Sequence, residues 1–161
     1  QDDHPGNQYA NVMSCASRQV VDFVNWLKAQ PFYENTTIVI VGDHLTMDSD
    51  FFDNDNPNYQ RTVYNAFLNT TQTASRVTDR QATALDLFPT TLAALNVTIE
   101  GERLGLGTNL FSAKPTLAEE LGFDSFYTEL TKRSTFYAEK LMQGTDDEIF
   151  QKREAEKEAE E

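Results

Sequence analysis

The sequence predicts an α/β domain built on a mainly parallel sheet flanked by helices. Three features lead there. Apolar residues recur at helical spacing over residues 10–29, a short β-branched run follows at residues 36–41, and the chain turns polar at Gly42, Asp43 and His44 directly after it. A strand that is apolar on successive positions suits a parallel sheet covered on both faces, because alternation would mark a strand with one wet face. In open α/β sheets ligands collect outside the carboxyl ends of the strands, so a site is expected at residues 43–44.

Each element has its own warrant. Residues 1–9 read as a polar loop, since Pro5 and Gly6 punctuate regular structure. In the first helix Met13, Ala16, Val20, Phe23, Val24 and Leu27 form the apolar stripe, and Gln30-Pro31 ends it. Residues 45–58 hold four Asp, no Lys or Arg and only scattered apolar residues, which makes an acidic loop. Residues 63–68 read as a second strand, and residues 82–95 as a helix interrupted by Pro89 with Leu85, Phe88, Leu92 and Leu95 as its apolar face. Gly101, Gly105 and Gly107 punctuate a loop that lacks a dinucleotide-binding context and is read as a turn. A short helix is expected at residues 116–122. A longer one follows over residues 123–142, carrying Phe126, Leu130, Tyr137 and Leu141 and broken by Gly144; its aromatic residues read as core or interface. Residues 1–144 are expected to form one domain. Residues 145–161, with eight acidic and three basic residues, read as an acidic tail, a solvated helix or a disordered segment.

The bulk composition narrows the function classes. A chain of 161 residues with 39% hydrophobic content is long enough for one real core. Its formal net charge of -13 gives it no electrostatic reason to attract nucleic acid or an anionic lipid surface. Any anionic substrate must therefore be met by a metal or by a few placed cations. The lone Cys15 excludes an internal disulfide and a four-cysteine zinc site. No apolar stretch approaches the roughly 20 residues of a membrane span. The first residues also lack the basic and apolar regions of a signal peptide, so an anchor for a membrane-bound parent is expected outside this chain. Asn35, Asn69 and Asn96 each begin a glycosylation-type triplet, on which nothing is built.

Asp43 and His44 are the sharpest chemical feature. A carboxylate and a neutral imidazole are both ligands for divalent first-row metals, and a strand immediately before them would fix their position. Adjacent side chains diverge on a regular strand, so the two must sit where the chain turns, and Gly42 is expected to permit the turn. The bland alternative is a hydrogen-bonded Asp-His turn with no ligand.

Residues 32–44 (FYENTTIVIVGDH), with the continuation LTMD to residue 48, resemble the metal-binding segment of phosphoglycerol transferases of the lipoteichoic acid synthase and membrane-derived oligosaccharide type. They resemble sulfatases more loosely. Residues 64–67 (YNAF), 84–92 (ALDLFPTTL) and 99–111 (IEGERLGLGTNLF) extend the likeness in order. The resemblance implies an alkaline phosphatase-like α/β fold, of which residues 1–144 are the carboxy-terminal half of a sulfatase-like catalytic domain, incomplete at the amino terminus. It implies one divalent ion, manganese by preference with magnesium, zinc or calcium as alternatives, held here by Asp43 and His44. The remaining ligands and a threonine nucleophile are expected upstream of Gln1, so the chain alone is expected to be inactive. The implied reaction moves phosphoglycerol, through a phospho-threonine, from a phosphatidylglycerol-like lipid to a glycan or polymer acceptor. It takes place on the extracellular or periplasmic face of a bacterial membrane, and the missing amino-terminal half is the expected partner.

The resemblance also gives His4 a contact to the substrate phosphate, although here it lies directly before Pro5, and a loop histidine in solvent is the alternative. Arg61 and Arg18 are candidate phosphate partners because a guanidinium matches phosphate oxygens as a fork, against the plainer reading as surface arginines. Asp48 is either a group that orients His44 or an acidic loop residue in water. Ser14 and Cys15 lack a histidine nearby in sequence and are not read as nucleophiles. Two rivals stand beside transfer: a sulfatase or phosphodiester hydrolase of the same superfamily, and a non-catalytic acidic interaction module.

Overall fold

The computed structural model describes residues 3–48, 51 and 60–142. The expected acidic tail at 145–161, the break at Gly144 and most of the acidic loop at 45–58 lie outside them. The chain forms two compact units, the first ending at Lys114 and the second beginning at Pro115.

The first unit opens with helix α1, Gln8–Lys28, which starts where the Asn7 side chain accepts a hydrogen bond from the Ala10 amide. Only Val24 of its apolar stripe is buried; Met13, Val20 and Phe23 are exposed, as are Val12 and Trp26 off the expected stripe. A 3-10 turn at Tyr33–Asn35 leads into strand β1, Ile38–Val41, which pairs with β2, Asn65–Leu68. Ile38 faces Leu68 and Val41 faces Asn65, so the pairing is antiparallel. Among the described residues both two-stranded sheets are antiparallel, and the expected parallel sheet is not seen among them. Parallel neighbours need a crossover element, and the acidic connection after β1 has no helical apolar pattern with which to build one. Strand β1 also alternates half-buried Ile38 and Ile40 with exposed Val39 and Val41, rather than being covered on both faces.

Asn69 follows β2 directly and ties it to the chain ahead of β1. Its backbone takes a positive φ of 56°, and its Nδ2 donates to the carbonyls of Tyr33 at 2.7 Å and Thr36 at 2.9 Å.

Beyond the sheet a 3-10 turn, Ala84–Asp86, runs into helix α2, Leu87–Ala94. Pro89 does not interrupt it. It lies in the first turn, where the missing N–H has no intrahelical partner to lose. The expected apolar face is reversed as well: Leu85, Phe88 and Leu95 are exposed, while Asp86, Pro89, Thr90, Ala93 and Ala94 are buried. The cause is the hairpin β3, Arg103–Leu104, and β4, Gly107–Thr108, which packs so tightly that a Cβ on Gly107 would lie 1.9 Å from the Leu85 carbonyl oxygen. Gly105, with φ +60°, makes the intervening turn.

Asp86, only 2% exposed, organises this region. One carboxylate oxygen accepts from the Thr83 amide at 2.8 Å and its hydroxyl at 3.3 Å. The other accepts from the Thr108 amide at 2.7 Å, joining helix to hairpin. Thr90 complements it, donating to the Asp86 carbonyl at 2.6 Å and accepting from the Leu110 amide at 3.0 Å. Arg80 finishes the unit by donating to the carbonyls of Leu110, Ser112 and Lys114.

In the second unit Thr116 and Glu119 form a reciprocal cap at the start of helix α3, Leu117–Leu121. Helix α4, Phe123–Leu130, buries Phe126. The single helix expected over 123–142 is instead two pieces, because α4 ends at Leu130 and a π-helical turn spans Tyr137–Met142. Residues 131–135 (TKRST) offer no apolar face, and Thr131 donates its hydroxyl back to the Thr128 carbonyl at 2.9 Å.

Replacing Asp86 by Ala leaves the buried Thr108 amide and the half-buried Thr83 amide without this acceptor. Urea unfolding is expected to show a loss of about 3 kcal/mol. Asp86→Asn, which keeps one acceptor oxygen, is expected to lose less.

Candidate metal centre

The Gly42 amide donates to the Tyr64 carbonyl at 2.9 Å, extending the β1–β2 ladder by one residue before the chain leaves the sheet. Gly42 has no left-handed backbone. Its glycine character serves close approach, since a Cβ there would meet Val63 Cβ at 3.1 Å. The sequence reading of Gly42 as a turn-former is corrected accordingly.

The bend that follows brings Asp43 and His44 together. The His44 amide donates to Asp43 Oδ1 at 2.9 Å, and His44 Nδ1 lies 2.7 Å from the Leu45 carbonyl oxygen. A carbonyl only accepts, so Nδ1 carries the proton of that bond and the neutral ring keeps its lone pair on Nε2. That Nε2 lies 3.5 Å from Asp43 Oδ2, and the two side chains are 61% and 88% exposed. With Nε2 unprotonated, both atoms are electron-pair donors that a single cation could engage together. Ligands of one first-row ion, each about 2.1 Å from the metal, stand roughly 3.0–3.4 Å apart. The donor set and its spacing thus fit two ligands of one divalent ion. Among the described residues no group of three His, Cys, Asp or Glu side chains could hold a metal. The bond that orients His44 at Nδ1 comes from the Leu45 carbonyl rather than from Asp48.

The loop is tied back to the helix and to the second strand's approach. Thr46 Oγ1 is hydrogen-bonded to the Tyr9 hydroxyl, and the Thr46 carbonyl accepts from Arg61 Nη2 at 2.6 Å. Arg61 therefore holds the loop backbone, and Tyr9 joins that loop to the first turn of α1. Tyr9 also packs edge-on against Phe51, ring centres 4.8 Å apart. Arg18 is paired with Asp3. His4 lies against the same end of α1, with Nε2 2.9 Å from Ser14 Oγ. Ser14, far from any histidine in the linear sequence, thus has one beside it in space. Neither Tyr9 nor Thr46 carries a sequence signal for its part in the loop. Thr83 and Asp86, by contrast, stand at capping-box spacing and were detectable.

A family model described as Sulfatase matches residues 1–97 of the chain. Phosphoglycerol transferase I of Citrobacter koseri is 40% identical over 43 residues, which are 27% of this chain and 6% of that protein. The protein of the same name from Escherichia fergusonii matches to the same extent, and the one from Salmonella paratyphi B is 37% identical over 43 residues. The matched stretch spans a small fraction of these curated relatives. No solved structure matches the chain. The chain belongs to the sulfatase family, and membership carries with it the α/β fold of the alkaline phosphatase superfamily.

Arg61→Ala removes the donor that holds the Thr46 carbonyl. Hydrogen exchange is expected to quicken by about tenfold at the amides of residues 43–48 and to stay unchanged in α2.

Proposed function

Starting from membership of the sulfatase family, we propose that this chain supplies one edge of the divalent-metal site of a phosphoglycerol transferase. In this reading a glycerophosphate group passes from a phosphatidylglycerol-like lipid to a glycan or polymer acceptor of the cell envelope. The observation that carries it is the Asp43–His44 pair, with Nε2 and Oδ2 3.5 Å apart and the imidazole tautomer fixed by Leu45. The short matches to proteins named phosphoglycerol transferase I favour transfer as the chemistry.

A divalent ion, read as manganese with magnesium, zinc or calcium as alternatives, would be held by Asp43 and His44 and would offset negative charge on the ester oxygens. Asp43 brings anionic charge to the site, and His44 a neutral nitrogen already oriented before binding. His4 faces the substrate's anionic oxygens. Arg61 serves substrate binding through the Thr46 carbonyl that it holds. The nucleophile and the remaining ligands come from the amino-terminal half of the same catalytic domain. The exposed apolar residues Val12, Val20 and Phe23 of α1 and Leu85, Phe88 and Leu95 in and beside α2 support such a partner, because burying their remaining apolar surface is favourable.

Among the described residues no helix is long and apolar enough to cross a membrane. We place the domain on the extracellular or periplasmic face of a bacterial membrane, anchored by segments outside this chain. Hydrolysis of a sulfate ester or phosphodiester is the second reading, favoured by the match to the Sulfatase model itself.

Manganese calorimetry on the complete parent protein tests the site. Asp43→Ala and His44→Ala are each expected to weaken binding by at least about tenfold, with circular dichroism unchanged. Unaltered affinity in both variants would remove the assignment. Incubation with glycerol-labelled phosphatidylglycerol then separates the chemistries: label on a glycan acceptor supports transfer, and label released only as soluble glycerol phosphate supports hydrolysis.

A further inference from the structure

His4 is held more firmly than a solvent-exposed loop residue requires. Its amide donates to Asn11 Oδ1 at 2.9 Å, while its carbonyl accepts from Asn11 Nδ2 at 3.0 Å and from the Asn7 amide at 3.0 Å. Its ring Nε2 lies 2.9 Å from Ser14 Oγ. Asn7, Asn11 and Ser14 follow one another at helical spacing and form one stripe along the start of α1. Gly6, with φ +80°, lets the chain fold back onto that stripe.

We propose that Ser14 and Asn11 are positioning residues that fix both the backbone and the ring tautomer of His4, so that Nδ1–H is the donor offered to an anionic ester oxygen. In this proposal the Ser14 hydroxyl is the donor of the 2.9 Å bond to Nε2 and the ring proton sits on Nδ1, because the bond made by one imidazole nitrogen sets the state of the other. A neutral histidine can then meet a phosphoryl oxygen as a donor without first gaining a proton. Asn11 contributes by pairing with the His4 amide and carbonyl at once, so the ring is presented from a fixed backbone. The substrate-facing part rests on the function proposed above. The positioning part rests on the hydrogen bonds alone.

The test uses nitrogen-15 NMR of the ring nitrogens in this chain, with both histidines neutral and His4 assigned by His4→Gln. Wild type is expected to show the Nδ1–H tautomer at His4, Ser14→Ala to shift it towards Nε2–H, and Ser14→Thr to restore it. An Nε2–H tautomer in wild type, or one unchanged in Ser14→Ala, overturns the role of Ser14. Titration with inorganic phosphate is expected to shift His4 Nδ1 saturably, about three- to tenfold more weakly in Ser14→Ala. No saturable response in wild type overturns the proposal that Nδ1–H meets an anion. The metal assignment fails separately, through unchanged manganese affinity in Asp43→Ala and His44→Ala.

Discussion

Two side chains adjacent in sequence can share one ion only where the backbone has left the strand, since on a strand they point to opposite faces. Much else in the first unit follows from that constraint. The ladder is carried one residue past β1 by the Gly42–Tyr64 bond, and a glycine suits the close approach of Val63. The chain then bends, and Asp43 and Leu45 flank His44 as the acceptors of its amide and its Nδ1. Both bonds are made within three consecutive residues, so the pair is organised locally before any ligand arrives. The longer-range restraint falls on Thr46, which is held by Tyr9 from the helix and Arg61 from the returning chain.

The rest of the first unit is secured by polar groups as much as by apolar ones. Asp86, Thr90 and Thr108 are among its most deeply buried side chains, and each has its bonds satisfied by α2, the hairpin or the residues next to them. Such a network specifies one packing arrangement, because a half-satisfied version costs more than an apolar core would. Apolar faces of α1 and α2 meanwhile remain exposed.

The first helix and strand were legible in the sequence, whereas the β3–β4 hairpin, read as a turn, and the break after α4 were not. The period of residues 10–29 gave a helix within two residues of α1, and the β-branched run at 36–41 gave β1. Strand direction was not legible, since β1 and β2 carry no mark of how they pair. The buried face of α2 was misread because Leu85, Phe88 and Leu95 outweigh Asp86 on any hydrophobic count, whereas Asp86 is buried by bonds made across sequence to Thr108. Asp43 and His44 were legible as residue types at a strand end. Their mutual approach, and the bond between Ser14 and His4, depend on bends and a chain reversal that residue spacing does not encode.

The most direct test of the account is pulsed electron paramagnetic resonance of manganese bound to the complete parent protein, reading the nitrogen-14 coupling of a ligated imidazole. The account predicts a coupling that disappears in His44→Gln and persists in His4→Gln. A nitrogen coupling that survives His44→Gln, or that is absent from the wild-type protein with manganese bound, would contradict it.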